Sequence, residues 1–146
     1  MWRIEENNLE AISIGAGILG SGGGGSPYIG KLRAREAIRR HGGINVLTPD
    51  ELKKTDRVVC LGMIGAPTVL IEKLPDLQAY TALRAIEEHT KVKATALMSN
   101  EIGGINSLEP LIPAAIAGLP IVDADAMGRA FPELQMKTIF VYGVPS

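Results

Sequence analysis

The glycine-rich segment at residues 20–25, Gly-Ser-Gly-Gly-Gly-Gly, is the feature that most constrains how this chain can fold. Glycine loses more backbone entropy on folding than any other residue, so a run of this density cannot continue a helix. Apolar residues at helical spacing precede the run, and Ser26-Pro27 follows it as an N-cap and a first helical residue. We therefore predict a loop between a first helix that ends at Gly20 and a second helix that ends near His41.

Beyond the second helix, short apolar segments alternate with helical patterns. Strands are predicted at 44–47, 57–61, 94–98, 121–122 and 136–142, and helices at 68–73, 76–88 and 110–117. The segment 57–61 is apolar on both faces, which is typical of a strand buried in a parallel sheet. The alternation predicts an α/β layered fold in which a largely parallel sheet is flanked by helices. We expect one domain over residues 1–146, with no second domain in this chain.

Composition and charge exclude several classes of protein. Fifteen Lys plus Arg balance sixteen Asp plus Glu, so the chain lacks the excess of basic residues that nucleic-acid binding needs. No apolar run approaches the roughly 20 residues that cross a bilayer, and acidic residues near the N-terminus do not fit a signal peptide. The single cysteine, Cys60, fits a reducing compartment. We predict a cytoplasmic domain with no nucleic-acid and no membrane partner.

The segment after the predicted strand at 121–122 carries the densest group of charged side chains. Ligands of open α/β sheets bind beyond the carboxyl ends of strands, and alternate residues point the same way, so Asp123 and Asp125 can share one site. Such a pair suits a divalent metal or a shared proton. Arg129 is placed to hold an anion or neutralise an aspartate, and Glu133 adds a third carboxylate. The alternative is structural: the aspartates cap the following turn and Arg129 forms an ion pair.

Two other segments are predicted to reach the same edge of the sheet. Glu101 follows the strand at 94–98 and precedes two glycines, where it can line the same crevice or simply occupy a solvated turn. The glycine run leads into a helix N-terminus, whose free N–H groups favour an anion or a polarised carbonyl. The ligand-binding residues predicted there are Gly22, Gly23, Gly24, Gly25 and Ser26.

Four ordered motifs, at 20–30, 62–69, 101–107 and 123–136, together resemble a known family. Their order and content are similar to the N-terminal domain of the S-methyl thiohydantoin desulfurase family, over nearly the whole chain, except that Ser26 stands where the family pattern has aspartate. The resemblance implies hydrolytic removal of the sulfur substituent from a thiohydantoin ring, which gives a hydantoin. It also implies a second, β-rich domain in a larger protein, and Asn106 of the third motif as a ligand-binding residue.

We therefore expect a hydrolase-type domain that acts on a small cyclic amide or thioamide. Asp125 or Asp123 would be the general base or would hold a metal that activates water. Arg129 and the N–H groups of residues 23–25 would stabilise developing charge, and Glu133 would orient Arg129. Two alternatives stay open. One is a non-catalytic fragment that forms homo-oligomers or joins a missing domain, and the other is an anion- or nucleotide-binding module built on the glycine run.

Overall fold

The computed structural model describes residues 2–73 and 75–144. Within them, the strands are β1 (Trp2–Ile4), β2 (Ile44–Leu47), β3 (Val58–Leu61), β4 (Ala96–Ser99) and β5 (Ile121–Asp125). The helices are α1 (Leu9–Gly20), α2 (Pro27–His41), α3 (Pro67–Glu72), α4 (Gln78–Thr90), α5 (Leu111–Ala117) and α6 (Thr138–Val141). No helix among the described residues is long and apolar enough to span a bilayer.

The strands form one sheet in the order β1-β2-β5-β4-β3, so the predicted α/β fold with a largely parallel sheet is confirmed. Only β1 runs antiparallel to its neighbour, and the other described pairs are parallel. In the register, Leu61 lies beside Ser99, and Ser99 lies beside Asp125. The carboxyl ends of β3, β4 and β5 therefore meet side by side at one edge, which is where ligands of such sheets bind.

The hydrophobic core lies between the sheet and the helices packed on it. Its largest fully buried apolar side chains include Leu9 of α1, Leu83 of α4, Leu97 of β4 and Leu108 before α5. Burying a leucine side chain stabilises the fold by about 1.5–3 kcal/mol. These contacts therefore hold the strands against the helices, and with them the positions of the strand ends. The predicted helix boundaries at Gly20, Pro27 and His41 all hold, because the glycine run and the proline dictate them locally.

The predicted strand at 136–142 is wrong. The segment forms a short 3-10 turn at Leu134–Met136 and then helix α6. Its backbone pairs mainly with itself, since the N–H of Val141 donates to the carbonyl of Lys137. The spacing of the apolar side chains in this segment fits a strand. That spacing does not show whether a neighbouring strand is free to pair with it.

Other elements also differ from the prediction. Strand β1 was not predicted, because three residues are too few to show an alternating pattern. Helix α4 begins at Gln78, after Leu77, which is two residues later than the predicted start at 76. Strand β5 extends to Asp125, so the two aspartates lie within the strand and not beyond it.

Candidate functional site

A cavity of about 590 Å³ opens at the carboxyl ends of β3, β4 and β5. Its walls come from the three loops that follow these strands, from the glycine run at residues 23–25 and from helix α3. Most of the side chains that line it are apolar; among them are Met63, Ile64, Val69, Leu70, Ile105, Met127 and Phe131. Its charged lining side chains are Lys73, Glu101 and Glu133. A mostly apolar cavity with few polar groups is the usual form of a small-molecule site.

Glu101 is the buried carboxylate of this cavity, with only 6% of its surface exposed. Its Oε1 accepts a hydrogen bond from Nδ2 of Asn106 at 2.9 Å, and its Oε2 accepts one from the backbone N–H of Phe131 at 3.2 Å. A carboxylate has about four acceptor positions, so these two bonds fix its orientation and leave capacity for a ligand or a proton. The predicted placement of Glu101 at the crevice agrees with the structure.

Asn106 lines the cavity, but its amide is engaged by the protein. Nδ2 donates to the carbonyl of Met63 at 2.9 Å as well as to Glu101, and Oδ1 accepts from the Met63 N–H at 2.7 Å. Both amide protons and the oxygen are therefore in use. These contacts indicate a positioning role, since the side chain ties the loop after β3 to the Glu101 carboxylate. The ligand-binding role of Asn106 stays a prediction.

Asn100 lines the same cavity and was not predicted as a site residue. Its backbone N–H donates to the carbonyl of Leu61 at 2.9 Å, and its carbonyl accepts from the Ala126 N–H at 3.3 Å. The residue is thus held where three strands end. Its side chain is buried, and within residues 2–73 and 75–144 its Oδ1 has no hydrogen-bond partner. Its position directly after β4 was the available signal, because that is the ligand-binding edge of the sheet.

Asp125 is engaged by backbone N–H groups and does not line the cavity. Its Oδ2 accepts hydrogen bonds from three backbone N–H groups: those of Ile102 at 2.9 Å, Met127 at 3.2 Å and Gly128 at 2.6 Å. This is the structural alternative, a carboxylate that caps a turn and also ties it to the Glu101 loop. Asp123 is exposed, and neither aspartate is among the residues that line the cavity.

The metal site predicted at the two aspartates does not fit this geometry. Three N–H donors already surround Oδ2 of Asp125, and their partial positive charges would repel a cation at that oxygen. Among the described residues, no group of three or more His, Cys, Asp or Glu side chains is arranged to hold a metal ion.

Arg129 and Glu133 also lie apart from the predicted arrangement. The Arg129 guanidinium is exposed and stacks on the Phe131 ring, 4.7 Å from its centroid. Glu133 lines the cavity at an exposed position, and its carboxylate accepts a hydrogen bond from the Gln135 amide. The structure therefore does not show Glu133 orienting Arg129.

The glycine run is docked on the backbone that follows Glu101. The carbonyl of Gly24 accepts a hydrogen bond from the N–H of Ile105 at 2.8 Å. Gly24 has φ +73°, and a Cβ at Gly24 would lie 2.6 Å from the Gly103 carbonyl oxygen, so only glycine fits. Residues 23–25 line the cavity as predicted, whereas Gly22 and Ser26 do not.

Comparisons with known proteins agree with this architecture. A solved X-ray crystal structure of a protein from Chromobacterium violaceum superposes with a TM-score of 0.77 and is 29% identical in sequence. The match covers 99% of this chain and 40% of that one, so this chain spans about two fifths of the length of that protein. No curated protein matches the chain. The family model described as the S-Me-THD-like N-terminal domain matches residues 7–146. The resemblance drawn from the four motifs is thereby confirmed, and the chain belongs to the family of S-Me-THD-like N-terminal domains.

Proposed function

We propose that this domain binds a small cyclic amide or thioamide in the cavity, and that Glu101 is the general base for hydrolytic removal of a sulfur substituent from the ring. The observation that carries the proposal is the buried Glu101 carboxylate, oriented through both oxygens at the wall of a mostly apolar cavity. A volume of about 590 Å³ lies within the range of cavities that enclose small ligands, and it accommodates a substituted five-membered ring.

The proposed reaction begins with water at the ring carbon between the two nitrogens. As the water oxygen bonds to this carbon, Glu101 takes one of its protons. The carbon–sulfur bond then breaks, and the sulfur leaves as a thiol that carries the proton held by Glu101. The second proton of the water ends on a ring nitrogen, and the carbon retains the oxygen as a carbonyl.

Backbone N–H groups supply the electrostatic part of the proposal. Gly24 and Gly25 line the cavity, and their N–H groups donate to none of the described residues. Donors fixed in this way stabilise negative charge as it develops on the ring, without reorganising during the reaction. In this proposal they take the part expected of Arg129, whose guanidinium stacks on Phe131 instead.

The test is turnover of an S-methyl thiohydantoin, followed by reaction of the released thiol with a chromogenic reagent. We expect Glu101→Gln to lower turnover by at least about 100-fold, because general-base catalysis contributes roughly 10²–10⁴-fold. The matched control is Glu133→Gln, at the exposed cavity wall, which should retain most of the activity. Circular dichroism establishes that both variants are folded. Wild-type turnover by a folded Glu101→Gln variant would reject the proposed role.

A non-catalytic binding domain is the second candidate. It is supported by the coverage of the crystallised relative, since this chain corresponds to 40% of that protein. Calorimetric titration of the wild-type chain with hydantoin, combined with the thiol assay on the S-methyl thiohydantoin, distinguishes the two candidates, because binding of hydantoin without thiol release from the S-methyl ring would identify a binding domain. An anion or nucleotide site is less favoured, since Glu101 and Glu133 outnumber Lys73 among the charged lining residues.

A further inference from the structure

We infer that Asn100 is the residue that recognises the ligand, by pairing its side-chain amide with an N–H group and the adjacent carbonyl or thiocarbonyl of the ring. The inference rests on the proposed function, because it concerns the same cavity. It adds a chemical requirement that the proposed function does not contain: the ligand must carry an unsubstituted ring N–H.

The position of Asn100 is fixed by its backbone and not by its side chain. Its N–H donates a hydrogen bond to the carbonyl of Leu61 at the end of β3, and its carbonyl accepts one from the N–H of Ala126 after β5. A Cβ at Gly62 would lie 3.0 Å from the Asn100 Cβ, so the loop after β3 packs closely against this residue. The Asn100 side chain therefore projects from a rigid junction of three strand ends, which is the kind of support a recognition residue needs.

The amide itself has no partner in the described part of the chain. Asn100 is 6% exposed, and its Oδ1 is buried without a hydrogen bond. Buried side-chain oxygens are nearly always paired, so an unpaired one on a side chain that lines a cavity indicates a missing partner. The other unpaired buried side-chain oxygen that the structure gives is Oε1 of Glu109, whose second oxygen pairs with Arg33, and Glu109 is not a lining residue of the cavity.

Comparison with Asn106 separates recognition from positioning. Both asparagines are buried and line the cavity, and they belong to the same loop region. Asn106 uses its oxygen and its amide group on Met63 and Glu101, whereas Asn100 uses neither on a described residue. Asn106 therefore holds the cavity together, and Asn100 is available to a ligand.

The chemistry of a carboxamide defines what Asn100 can read. It presents an acceptor beside a donor, which is complementary to a ring edge where an N–H adjoins a carbonyl. The terminal torsion of asparagine is broad and roughly two-fold, and within the described residues no hydrogen bond to Oδ1 opposes its rotation. The amide can therefore turn its oxygen from the packed side to the cavity when a ring N–H arrives. A site that hydrogen-bonds a donor rejects analogues that lack it, because the protein group is then left unpaired.

The experiment is calorimetric titration of the wild-type chain with hydantoin and with its N1-methyl, N3-methyl and dimethyl derivatives. We expect methylation of one ring nitrogen to weaken binding at least tenfold. Asn100→Leu should bind hydantoin at least tenfold more weakly and should lose the discrimination between the rings. Its melting temperature should equal or exceed that of the wild type, because an unpaired buried amide has been replaced by an apolar group of similar size. Asn100→Asp is the second variant if the leucine variant does not fold, and Asn45→Ala, at an exposed position in β2, is the control.

The outcomes distinguish this inference from the proposed function. If the wild-type chain binds hydantoin and the folded Asn100 variants bind every ring as the wild type does, the role of Asn100 is rejected while the proposed function stands. If the wild-type chain binds none of the rings, the proposed function is rejected and the inference falls with it. Reduced affinity together with equal or higher stability supports the inference, because a purely structural residue would not give that combination.

Discussion

The side-chain amide of Asn106 donates to the Glu101 carboxylate, with Nδ2 and Oε1 2.9 Å apart. The same amide is paired with both backbone groups of Met63, in the loop after β3. One side chain thus connects two loops that come from neighbouring strands, and it does so next to the carboxylate proposed to act on the ligand. The orientation of the Glu101 carboxylate therefore depends on the hydrogen bonds of Asn106 as well as on the side-chain torsions of Glu101 itself.

We expect Asn106→Ala to destabilise the domain by about 2–4 kcal/mol, because it removes the hydrogen-bond partner of Oε1 of Glu101 and of both Met63 backbone groups. The loop after β3 should also loosen. Urea unfolding measures the stability, and amide hydrogen exchange at Met63 measures the loosening. Asn45→Ala is the control, since a substitution at an exposed position should stay within about 0.5 kcal/mol. Unchanged exchange at Met63 in the Asn106 variant would contradict the positioning role.

Gly104→Ala should prevent the glycine run from docking. Gly104 has φ +67°, and a Cβ there would overlap the backbone of Gly24. The strain and the overlap together should cost about 3 kcal/mol or more. Gly15→Ala is the matched control, and it should change the stability in the opposite direction. A Cβ at Gly15, within α1, meets nothing within 4 Å, so alanine should stabilise the helix by about 0.5–1 kcal/mol. Melting temperatures that shift in the same direction for both variants would be inconsistent with the docked loop.

Asp125→Asn should lower the free energy of unfolding of the domain. The Asp125 carboxylate accepts three backbone N–H groups, and hydrogen bonds to a charged acceptor are stronger than those to a neutral amide. We expect a loss of about 1–3 kcal/mol in urea unfolding. Asp123→Asn, at an exposed position in the same strand, should change stability by less than about 0.5 kcal/mol. Full stability combined with lost turnover in the Asp125 variant would instead restore a catalytic role.

Much of the fold follows from local rules. The glycine run and Pro27 fix the ends of α1 and α2, since these residues restrict the backbone whatever surrounds them. Thr48 and Glu51 form a capping box at the 3-10 turn Pro49–Glu51, because a threonine and a glutamate three residues apart can each satisfy the other's backbone N–H. The placement of the cavity also follows from the sequence, because parallel strands bring their carboxyl ends to one edge.

The roles of individual polar residues could not be predicted in the same way. Asn100 and Asn106 are the same residue type in one loop region, and what separates them is the Met63 backbone, which arrives from another strand. The Ile102 N–H, which donates a hydrogen bond to the Asp125 carboxylate, is likewise distant from Asp125 in sequence. Residue type and spacing predict which groups reach the edge, but tertiary packing decides which of them remain unpaired.

The last prediction concerns pH and the buried Glu87, which connects α4 to the start of β4. Its Oε1 accepts from the Ala94 N–H at 3.0 Å, and its Oε2 accepts from Arg84 at 2.6 Å and Lys93 at 3.1 Å. The Ala94 hydrogen bond is the largest cause, and with the two cations it lowers the pKa of Glu87 from 4.5 to about 2 despite the opposing effect of burial.

A carboxyl group whose pKa is lower in the folded state than in the unfolded state stabilises the fold above the unfolded value. This contribution should therefore be complete above about pH 5 and be lost as the pH falls from 4.5 towards about 2. We expect Glu87→Gln to be about 1–3 kcal/mol less stable than the wild type at pH 7, and the difference should shrink by pH 2.5. Urea unfolding at a series of pH values measures it, with Glu88→Gln at the neighbouring exposed position as control. Parallel pH profiles for the wild type and Glu87→Gln would show that Glu87 does not carry this dependence.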